Sequence, residues 1–368
     1  MTTDEKYMHR CLQLARCGQY GAPPNPMVGA VIVSADGRII GEGFHRKCGE
    51  AHAEVNAFRS VRSEDQPLIP ESTIYVSLEP CAHFGKTPPC ADLIVRQHPR
   101  RCVVGTIDPF AQVQGKGIER IKAAGIEVTV GVLQDECRWL NRRFFTFHQQ
   151  QRPYVTLKWA QTQDGVIGLS GSQRLLISNR ATQTICHRMR SLSQAILVGR
   201  GTWQADQPQL NLRLWPGNPP QRIVLSKTLA AETTGTDSET AGSAAKTKGI
   251  VLENEALPFE KRRASFSAAA EDSGLPSDVI IASDPESLLR ELHRQGTQTL
   301  LVEGGRATLQ SFIDLGLWDE AHVEIGPDPA PALADGESAV MAPRLHHATL
   351  RETQDVEGHT LQLFVRQQ

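Results

Sequence analysis

Residues 78–90 read LEPCAHFGKTPPC, and residues 52–54, further upstream, read HAE. These stretches carry side chains that bind zinc in proteins, the imidazole of His52 and the thiols of Cys81 and Cys90. One imidazole and two thiolates leave the fourth tetrahedral position of a zinc ion open for water. The sequence therefore predicts a zinc site of the catalytic type.

Glu54, two residues after His52, supplies a carboxylate beside this site. Zinc lowers the pKa of a bound water toward neutrality. A nearby carboxylate can then carry protons from the water to a ring nitrogen and to departing ammonia. The order H-x-E, P-C and a second cysteine is the zinc deaminase signature, with its usual C-x-x-C lengthened by the insert AHFGKTPP. The alternative is a closed structural zinc, whose fourth ligand Cys48 or His83 could supply.

The composition indicates a globular chain of two domains. It has 368 residues, of which 40% are hydrophobic and 22% charged, and a formal net charge of -2. The charge and the lack of a cationic stripe argue against nucleic-acid binding. No signal peptide and no apolar run of bilayer length is found, so no membrane association is expected. Eight scattered cysteines favour the reducing cytoplasm.

Alternating strand and helix patterns predict an α/β fold throughout. A polar stretch at 147–152 (FHQQQR) before Pro153 predicts domains at 1–148 and 149–368. Residues 231–248 are rich in Thr, Ser, Gly and Ala and predict a flexible surface insertion. The predicted strands are 28–33, 38–40, 72–78, 101–106, 126–132, 195–198, 222–225, 249–252 and 299–302. The first predicted helix is amphipathic, with Met8, Cys11, Leu12 and Ala15 at helical spacing. A second predicted helix begins at about His52 and has Val55, Phe58 and Val61 on its inner side. The other predicted helices are 90–97, 117–124 and 181–190.

The first domain contains three short motifs, at residues 25–30 (NPMVGA), 49–54 (GEAHAE) and 78–90 (LEPCAHFGKTPPC). With these motifs it resembles the bifunctional deaminase/reductase family of riboflavin biosynthesis. The resemblance implies a cytidine-deaminase-like α/β/α layered domain that deaminates 2,5-diamino-6-ribosylamino-4(3H)-pyrimidinone 5′-phosphate. It also implies Asn25 and His45 at the base, and His83, Lys86 and Thr87 near the ribose phosphate. Phe110 and Ala111 depart from the Asn-Pro that follows Asp108-Pro109 in the family.

The second domain resembles the reductase half of the same family in residues 157–158, 164–165, 196–213 and 302–305. The resemblance implies a dihydrofolate-reductase-like α/β domain that uses NADPH to reduce the ribosyl group to ribityl. It implies a substrate site at Arg190, Asp206, Leu210, Arg213 and Glu303. It implies a cofactor site at Lys158, Ser178, Thr202, Gly304 and Gly305.

This second half also departs from the family. Leu176 replaces a frequent tryptophan on the cofactor side, and residues 327–334 (PDPAPALA) replace an Ala-Pro-Lys-Leu segment. A deaminase with a degenerate reductase half is therefore an alternative. So is a tRNA or nucleoside-type zinc deaminase, although a polynucleotide substrate would need a basic groove and aromatic platforms. A zinc-stapled binding module is a third. The family resemblance further implies a homo-oligomer, a dimer or larger.

Overall fold

The computed structural model describes residues 1–84, 88–109, 115–170, 175–226, 279–334 and 336–367. The chain divides into two compact units, Met1–Gln151 and Arg152–Gln368. The predicted insertion at 231–248 and the predicted strand at 249–252 lie outside the described residues. None of the helices in the described ranges has the length and apolar character of a membrane span.

The first unit contains a five-stranded mixed sheet in the order β2-β1-β3-β4-β5. The strands β3, β4 and β5 run parallel, whereas β1 is antiparallel to both of its neighbours. The strands are β1 (Gly29–Val33), β2 (Ile39–Phe44), β3 (Thr73–Val76), β4 (Arg101–Val104) and β5 (Glu127–Val130). The α-helices are α1 (Thr3–Arg16), α2 (Ala53–Ser60), α3 (Cys90–Gln97), α4 (Lys116–Ala123), α5 (Gln134–Leu140) and α6 (Arg142–Gln150), with a 3-10 helix at Ser63–Glu71.

Side chains of β1 alternate between two cores, as the pleat of a strand requires. Val31 and Val33 pack with the buried residues of α1 and with Cys137 of α5. Ala30 and Ile32 pack on the opposite face with buried residues of α2, α3 and α4. Helices thus cover both faces of the sheet, which confirms the predicted α/β/α layered fold class of this half.

The helix α1 forms where its apolar spacing predicts it. A capping box begins the helix, because the Thr2 hydroxyl accepts a hydrogen bond from Glu5 N (3.2 Å) and the Glu5 carboxylate accepts one from Thr2 N (2.7 Å). The four residues that predicted it, Met8, Cys11, Leu12 and Ala15, are buried. The expectation for α2 is partly wrong: Phe58 and Val61 are buried, but Val55 is only half-buried.

The small residues Ala53 and Ala57 face the sheet in place of Val55. They let the α2 backbone approach β2 so closely that a Cβ on Gly43 would clash with backbone atoms of both alanines. The close approach brings the first turn of α2, with His52 as its N-cap, onto the sheet.

The second unit contains an eight-stranded sheet in the order β10-β9-β8-β11-β6-β12-β15-β14. The strands from β10 to β12 are parallel, and β15 and β14 extend the sheet antiparallel. The strands are β6 (Tyr154–Gln161), β7 (Val166–Leu169), β8 (Ala195–Gly199), β9 (Gln221–Leu225), β10 (Val279–Ala282), β11 (Thr299–Val302), β12 (Glu320–Ile325), β13 (Ala339–Met341), β14 (Ala348–Val356) and β15 (His359–Arg366), with β7 and β13 forming a separate pair. The helices are α7 (Arg180–Ser191), α8 (Arg200–Asp206), α9 (Pro285–Arg294) and α10 (Arg306–Asp314).

This sheet is also covered on both faces. One core joins β6 and β11 to α9 and α10, and the other joins β8 and β9 to Met189 of α7 and Trp203 of α8. The parallel strands β8 and β11 are neighbours, and α8 and α10 begin directly after them. Parallel α/β sheets bind ligands at this edge, beyond the carboxyl ends of the strands.

A buried ion pair joins the start of this unit to β12. The Arg152 guanidinium donates two hydrogen bonds to the Asp319 carboxylate, at 2.6 and 2.7 Å, and the two side chains are only 11% and 10% exposed. Asp319 also accepts a hydrogen bond from Val155 N at 2.7 Å. These contacts set where β6 begins beside β12.

We predict that Asp319→Asn destabilises the chain by about 3 kcal/mol, because the substitution leaves the Arg152 charge buried without its partner. Calorimetry of the full chain measures this change. The control is Asp314→Asn, which removes a carboxylate that is 58% exposed and paired with His346 and should leave the melting temperature almost unchanged. Equal melting temperatures for the two variants would contradict a structural role for the buried pair.

Candidate active sites

The three residues predicted to bind zinc lie together in the first unit. His52 is the N-cap of α2, Cys81 follows β3, and Cys90 is the first residue of α3. The His52 Nδ1 atom lies 3.6 Å from the Cys81 Sγ atom and 3.4 Å from the Cys90 Sγ atom. All three ligand atoms lie within 4.8 Å of one another. The strand and the two helix N-termini therefore converge on one point.

These distances fit a tetrahedral zinc ion. Typical zinc–sulfur and zinc–nitrogen bond lengths place a sulfur and a nitrogen ligand about 3.6 Å apart. Among the described residues, no further histidine, cysteine or carboxylate joins the group. Neither Cys48 nor His83 is therefore placed as a fourth ligand, which favours the open site over the closed one.

The electrostatics of the two cysteines also suit a cation. Hydrogen bonds from Cys90 and His52 lower the pKa of Cys81 to about 4. The Cys90 backbone amide, at the N-terminus of α3, lies 3.3 Å from the Cys81 sulfur and adds to this effect. The neighbouring Cys81 thiolate and burial raise the pKa of the Cys90 thiol well above its ordinary value. A divalent cation would remove this conflict by stabilising both thiolates.

Glu54 lies in the first turn of α2 and is 3% exposed. Burial, followed by the negative charge of Cys81, raises the pKa of Glu54 to about 7. A bound zinc ion would counter part of this rise, because its charge favours the carboxylate. The position beside the metal ligands and the exclusion of water suit a group that both accepts and releases a proton.

Asn25 and His45 contact each other beside the zinc ligands. The Asn25 Nδ2 atom is 3.2 Å from the His45 Nε2 atom, and the His45 Nδ1 atom is 3.2 Å from the Ala51 carbonyl oxygen. Burial lowers the pKa of His45, so the ring is neutral at pH 7 and the Asn25 amide donates to it. The His45 ring also packs edge-on against the His52 ring, with centroids 5.2 Å apart.

Of the other residues predicted for this site, the structure describes only His83. His83 is exposed on the loop after Cys81. Lys86, Thr87, Phe110 and Ala111 lie outside the described residues.

Glu79 is a residue of this site that the sequence analysis missed. It is 4% exposed, and its carboxylate accepts hydrogen bonds from the backbone amides of Asp108 (3.3 Å), Gly115 (3.0 Å) and Gly117 (3.0 Å). A Cβ on Gly117 would clash with the Pro80 carbonyl oxygen, so only glycine allows this approach. Glu79 thus fixes both ends of the segment between β4 and α4 directly beside the Pro80-Cys81 turn.

In the second unit, Arg190 and Glu303 form a bidentate ion pair. The Arg190 Nε and Nη2 atoms donate to the two Glu303 oxygens at 2.8 and 2.6 Å. Burial alone would raise the pKa of Glu303, but the hydrogen bonds and charge of Arg190 lower it. Asn211 joins Arg190 to Arg213, because its carbonyl oxygen accepts from Arg190 (3.3 Å) and its side chain accepts from Arg213 (3.1 Å). These predicted substrate residues therefore form one polar group.

The predicted cofactor residues form two smaller groups. Thr202, in α8, accepts a hydrogen bond from Gly305 N at 2.9 Å through its hydroxyl. A Cβ on Gly199 would clash with Thr308 in α10, so the turns after β8 and β11 approach closely. This backbone cradle and the N-terminus of α10 suit the phosphates of a dinucleotide. Lys158 and Ser178 meet at Glu324, whose carboxylate accepts hydrogen bonds from both, at 3.4 and 2.7 Å.

Two further predicted substrate residues, Asp206 and Leu210, and the family departure Leu176 take no part in these hydrogen bonds. Asp206 is exposed at the end of α8, Leu210 is buried, and Leu176 is 79% exposed.

The Arg213 backbone amide donates to His187 Nδ1 at 3.2 Å. Burial, followed by the charges of Arg190 and Arg213, lowers the pKa of His187 to about 4, so this ring acts as a neutral acceptor.

Glu324 and Glu79 were missed although the sequence contains a signal for each. Glu79 directly precedes Pro80-Cys81. Glu324 belongs to the pattern Glu-x-His-x-Glu in β12 (EAHVEI), where period-two polar residues interrupt an otherwise buried strand. Buried polar residues at strand spacing require partners on the same face.

Two family models match the chain. The cytidine and deoxycytidylate deaminase zinc-binding region matches residues 1–106, and the RibD C-terminal domain matches residues 153–329. One match lies in each of the two compact units. Their order along the chain agrees with the predicted order of deaminase and reductase halves.

Curated and solved proteins are similar over almost the whole chain. The riboflavin biosynthesis protein RibD of Aquifex aeolicus is 38% identical over 329 residues, covering 88% of this chain and 87% of that protein. The RibD protein of Bacillus amyloliquefaciens is 36% identical over 340 residues, covering 91% and 88%. The crystal structure of a diaminohydroxyphosphoribosylaminopyrimidine deaminase/5-amino-6-(5-phosphoribosylamino)uracil reductase from Thermotoga maritima has a TM-score of 0.74 and 31% identity, covering 99% of each chain.

We predict that Cys90→Ala lowers the zinc content from about one ion per chain to nearly none, because two remaining ligands hold zinc too weakly. Atomic absorption on the purified chain measures this. Cys48→Ala and His83→Ala serve as controls and should keep their zinc. Loss of zinc in either control would show a closed, four-ligand site instead.

We predict that Glu79→Gln accelerates amide hydrogen exchange at Asp108, Gly115 and Gly117 by roughly tenfold or more, because charge-assisted hydrogen bonds to these amides are lost. Exchange measured by mass spectrometry on peptides that contain these residues is the test. Asp92→Asn is the control, since it makes the matching change in a half-exposed pair with Arg120. Unchanged exchange in Glu79→Gln would contradict the role given to this carboxylate.

Proposed function

The chain belongs to the RibD family of riboflavin biosynthesis proteins, and we propose which reaction each of its two sites catalyses. It is a bifunctional enzyme with a zinc-dependent deaminase half and an NADPH-dependent reductase half. The first site would hydrolyse an amino group of 2,5-diamino-6-ribosylamino-4(3H)-pyrimidinone 5′-phosphate. The second would reduce the ribosyl group of the product to ribityl. The observation that carries the proposal is the cluster of His52, Cys81 and Cys90 beside the buried Glu54.

His52, Cys81 and Cys90 would hold the zinc ion, which supplies Lewis acidity and a nucleophilic water at neutral pH. The Glu54 carboxylate would take one proton from the attacking water and pass it to the ring nitrogen, as the water oxygen bonds to the ring carbon that bears the amino group. Glu54 would then carry a second proton, from the new hydroxyl group on that carbon, to the amino group, which leaves as ammonia when its bond to carbon breaks. The raised pKa of Glu54 and its exclusion from bulk water suit both transfers.

Asn25 and His45 would bind the pyrimidine. The neutral His45 ring, whose Nε2 faces the Asn25 nitrogen, sets the orientation of the Asn25 amide and thereby its donors and acceptors toward the base. For the ribose phosphate we propose His83, Lys86 and Thr87. A lysine supplies charge and a threonine a donor to a phosphate.

In the reductase half, we propose that Lys158, Ser178, Thr202, Gly304 and Gly305 bind NADPH, which supplies the hydride. For the substrate we propose Arg190, Asp206, Leu210, Arg213 and Glu303. Arginine suits a phosphate bidentately, and carboxylates such as Glu303 accept from sugar hydroxyls. The Arg190–Glu303 pair and Asn211 hold these groups in a fixed arrangement before substrate arrives.

We further propose a homo-oligomeric, cytoplasmic enzyme that acts on a small molecule rather than on nucleic acid. The net charge of -2 and the aromatic content of 5% do not favour a groove that binds a polynucleotide. All eight cysteines are free, which agrees with a reducing compartment. Light scattering on the purified chain tests the oligomeric state.

We predict that Glu54→Gln lowers the deaminase rate by a factor of about 100 to 10,000, because the proton carrier is lost while the metal ligands remain. Zinc content should stay near one ion per chain. Deaminase turnover is measured by ammonia release from the diaminopyrimidine substrate.

The same variant also tests the second half. Supplied with the deaminated intermediate, Glu54→Gln should oxidise NADPH at the wild-type rate. Wild-type deamination in the variant would contradict the role of Glu54. Absence of NADPH oxidation in both proteins would instead identify a degenerate reductase half.

A further inference from the structure

The strand β12 carries three polar residues on one face. Glu320, His322 and Glu324 alternate along it, so their side chains point to the same side of the sheet. Glu320 is 1% exposed and Glu324 is 2% exposed. A carboxylate buried to this degree is strongly unfavourable unless it is paired and hydrogen-bonded. The partners of each carboxylate therefore indicate why it is there.

Glu320 has structural partners. Its two oxygens accept hydrogen bonds from the hydroxyls of Tyr154 (3.0 Å) and Thr156 (3.1 Å) in the neighbouring strand β6. The contacts of Glu324 are different, because its Oε2 atom accepts from Lys158 Nζ (3.4 Å) and from Ser178 Oγ (2.7 Å). Both of these donors are residues for which we propose contact with NADPH.

The second oxygen of Glu324 faces a histidine. The His359 Nδ1 atom, at the start of β15, lies 3.1 Å from Glu324 Oε1, and both side chains are almost completely buried. The distance is that of an ion pair, although the two groups are not aligned as in a hydrogen bond. Glu324 is thus enclosed by residues of β6, β15 and the segment before α7.

We infer that Glu324 is a positioning residue of the reductase site, whose carboxylate holds the Lys158 ammonium and the Ser178 hydroxyl in one arrangement for NADPH. The inference rests on the proposed function of this half. Without Glu324, Lys158 would keep its long flexible stem but lose the group that fixes its charged end. Ser178 would lose the acceptor that fixes the rotation of its hydroxyl.

The charge distribution around Lys158 supports this role. Burial alone would lower the pKa of Lys158, but the groups Cys186, Glu324 and Glu303 raise it above its ordinary value. Lys158 therefore remains an ammonium ion although its side chain is only 15% exposed. Burial raises the pKa of the Cys186 thiol to about 11, so at neutral pH the two carboxylates supply the negative charge.

Lys158 is also accessible to a small ligand. It lines a cavity of about 170 Å³ together with Glu324 and with residues of α7, β14 and β15. The other titratable groups on the cavity wall are Cys186, His322 and Glu352. Glu352 is exposed and is not among the groups that shift the pKa of Lys158, which makes it a control within the same cavity.

The test is Glu324→Gln, which keeps the shape of the side chain but removes its charge. We expect the Kd of NADPH, titrated by fluorescence without substrate, to rise about tenfold, since a hydrogen bond to a charged partner is lost. Glu352→Gln makes the same change at an exposed residue of the same cavity and should bind NADPH like the wild type. Deaminase turnover, which depends on the first unit, should be equal in all three proteins, and equal melting temperatures check that the second unit folds.

A second readout does not involve the cofactor. Acetic anhydride acetylates only the deprotonated amine, so its rate at pH 8 reports the state of Lys158 relative to the exposed Lys47. We expect Glu324→Gln to raise the relative labelling of Lys158 about tenfold, because removing one charge favours the neutral amine. Glu352→Gln should leave it unchanged.

Three results separate the possibilities. NADPH affinity and Lys158 labelling within twofold of wild type in Glu324→Gln would overturn the inference. A variant that loses deaminase turnover and melts early would also overturn it, since Glu324 would then only support the fold. If wild-type protein binds no NADPH, the proposed reductase function fails, and the labelling ratio alone decides whether Glu324 controls Lys158.

Discussion

The contact between one imidazole nitrogen and two cysteine sulfurs sets the arrangement of the first half of the chain. His52, Cys81 and Cys90 come from three different segments, and each lies where a helix begins or a strand has just ended. The two sulfurs of this cluster repel each other when both cysteines ionise. The cluster is therefore stable in its catalytic form only around a cation, and the surrounding structure serves to keep the ligands together.

Two kinds of backbone contact support the zinc ligands. One is a close approach that only small residues allow, and the other is a set of backbone amides that donate hydrogen bonds to one carboxylate. Ala53 and Ala57 allow α2 to lie against Gly43, and this places His52 at the edge of the sheet. Glu79 collects three backbone amides next to the turn that leads to Cys81. Neither set of contacts includes a side chain of the candidate zinc ligands. Both determine where a ligand can lie, which is the kind of outer support that metal sites depend on.

The sequence predicted those helices and strands whose own residues show a clear apolar pattern. The helix at 90–97 and the strand at 299–302 have the predicted bounds, because each has a clear apolar pattern between Pro or polar residues. The strands β12 and β14 were not predicted. β12 carries buried glutamates that accept hydrogen bonds from β6 and from Ser178, which lie 146 to 166 residues away in the chain, and β14 is polar and largely exposed. Their pairing is decided by contacts between distant segments, which a local pattern does not record.

Glu324 was missed by the sequence analysis, and it lies close along the chain to a segment in which the second half departs from its family. The two departures singled out in the sequence, Leu176 and the segment 327–334, begin two residues before Ser178 and three residues after Glu324. The replaced positions therefore adjoin the two ends of the Ser178–Glu324 hydrogen bond. Leu176 itself is exposed and contributes little packing, whereas Glu324 gives Lys158 and Ser178 a common charged partner. In a site altered in this way, a buried carboxylate that fixes two polar groups can preserve their geometry even though the neighbouring residues have changed.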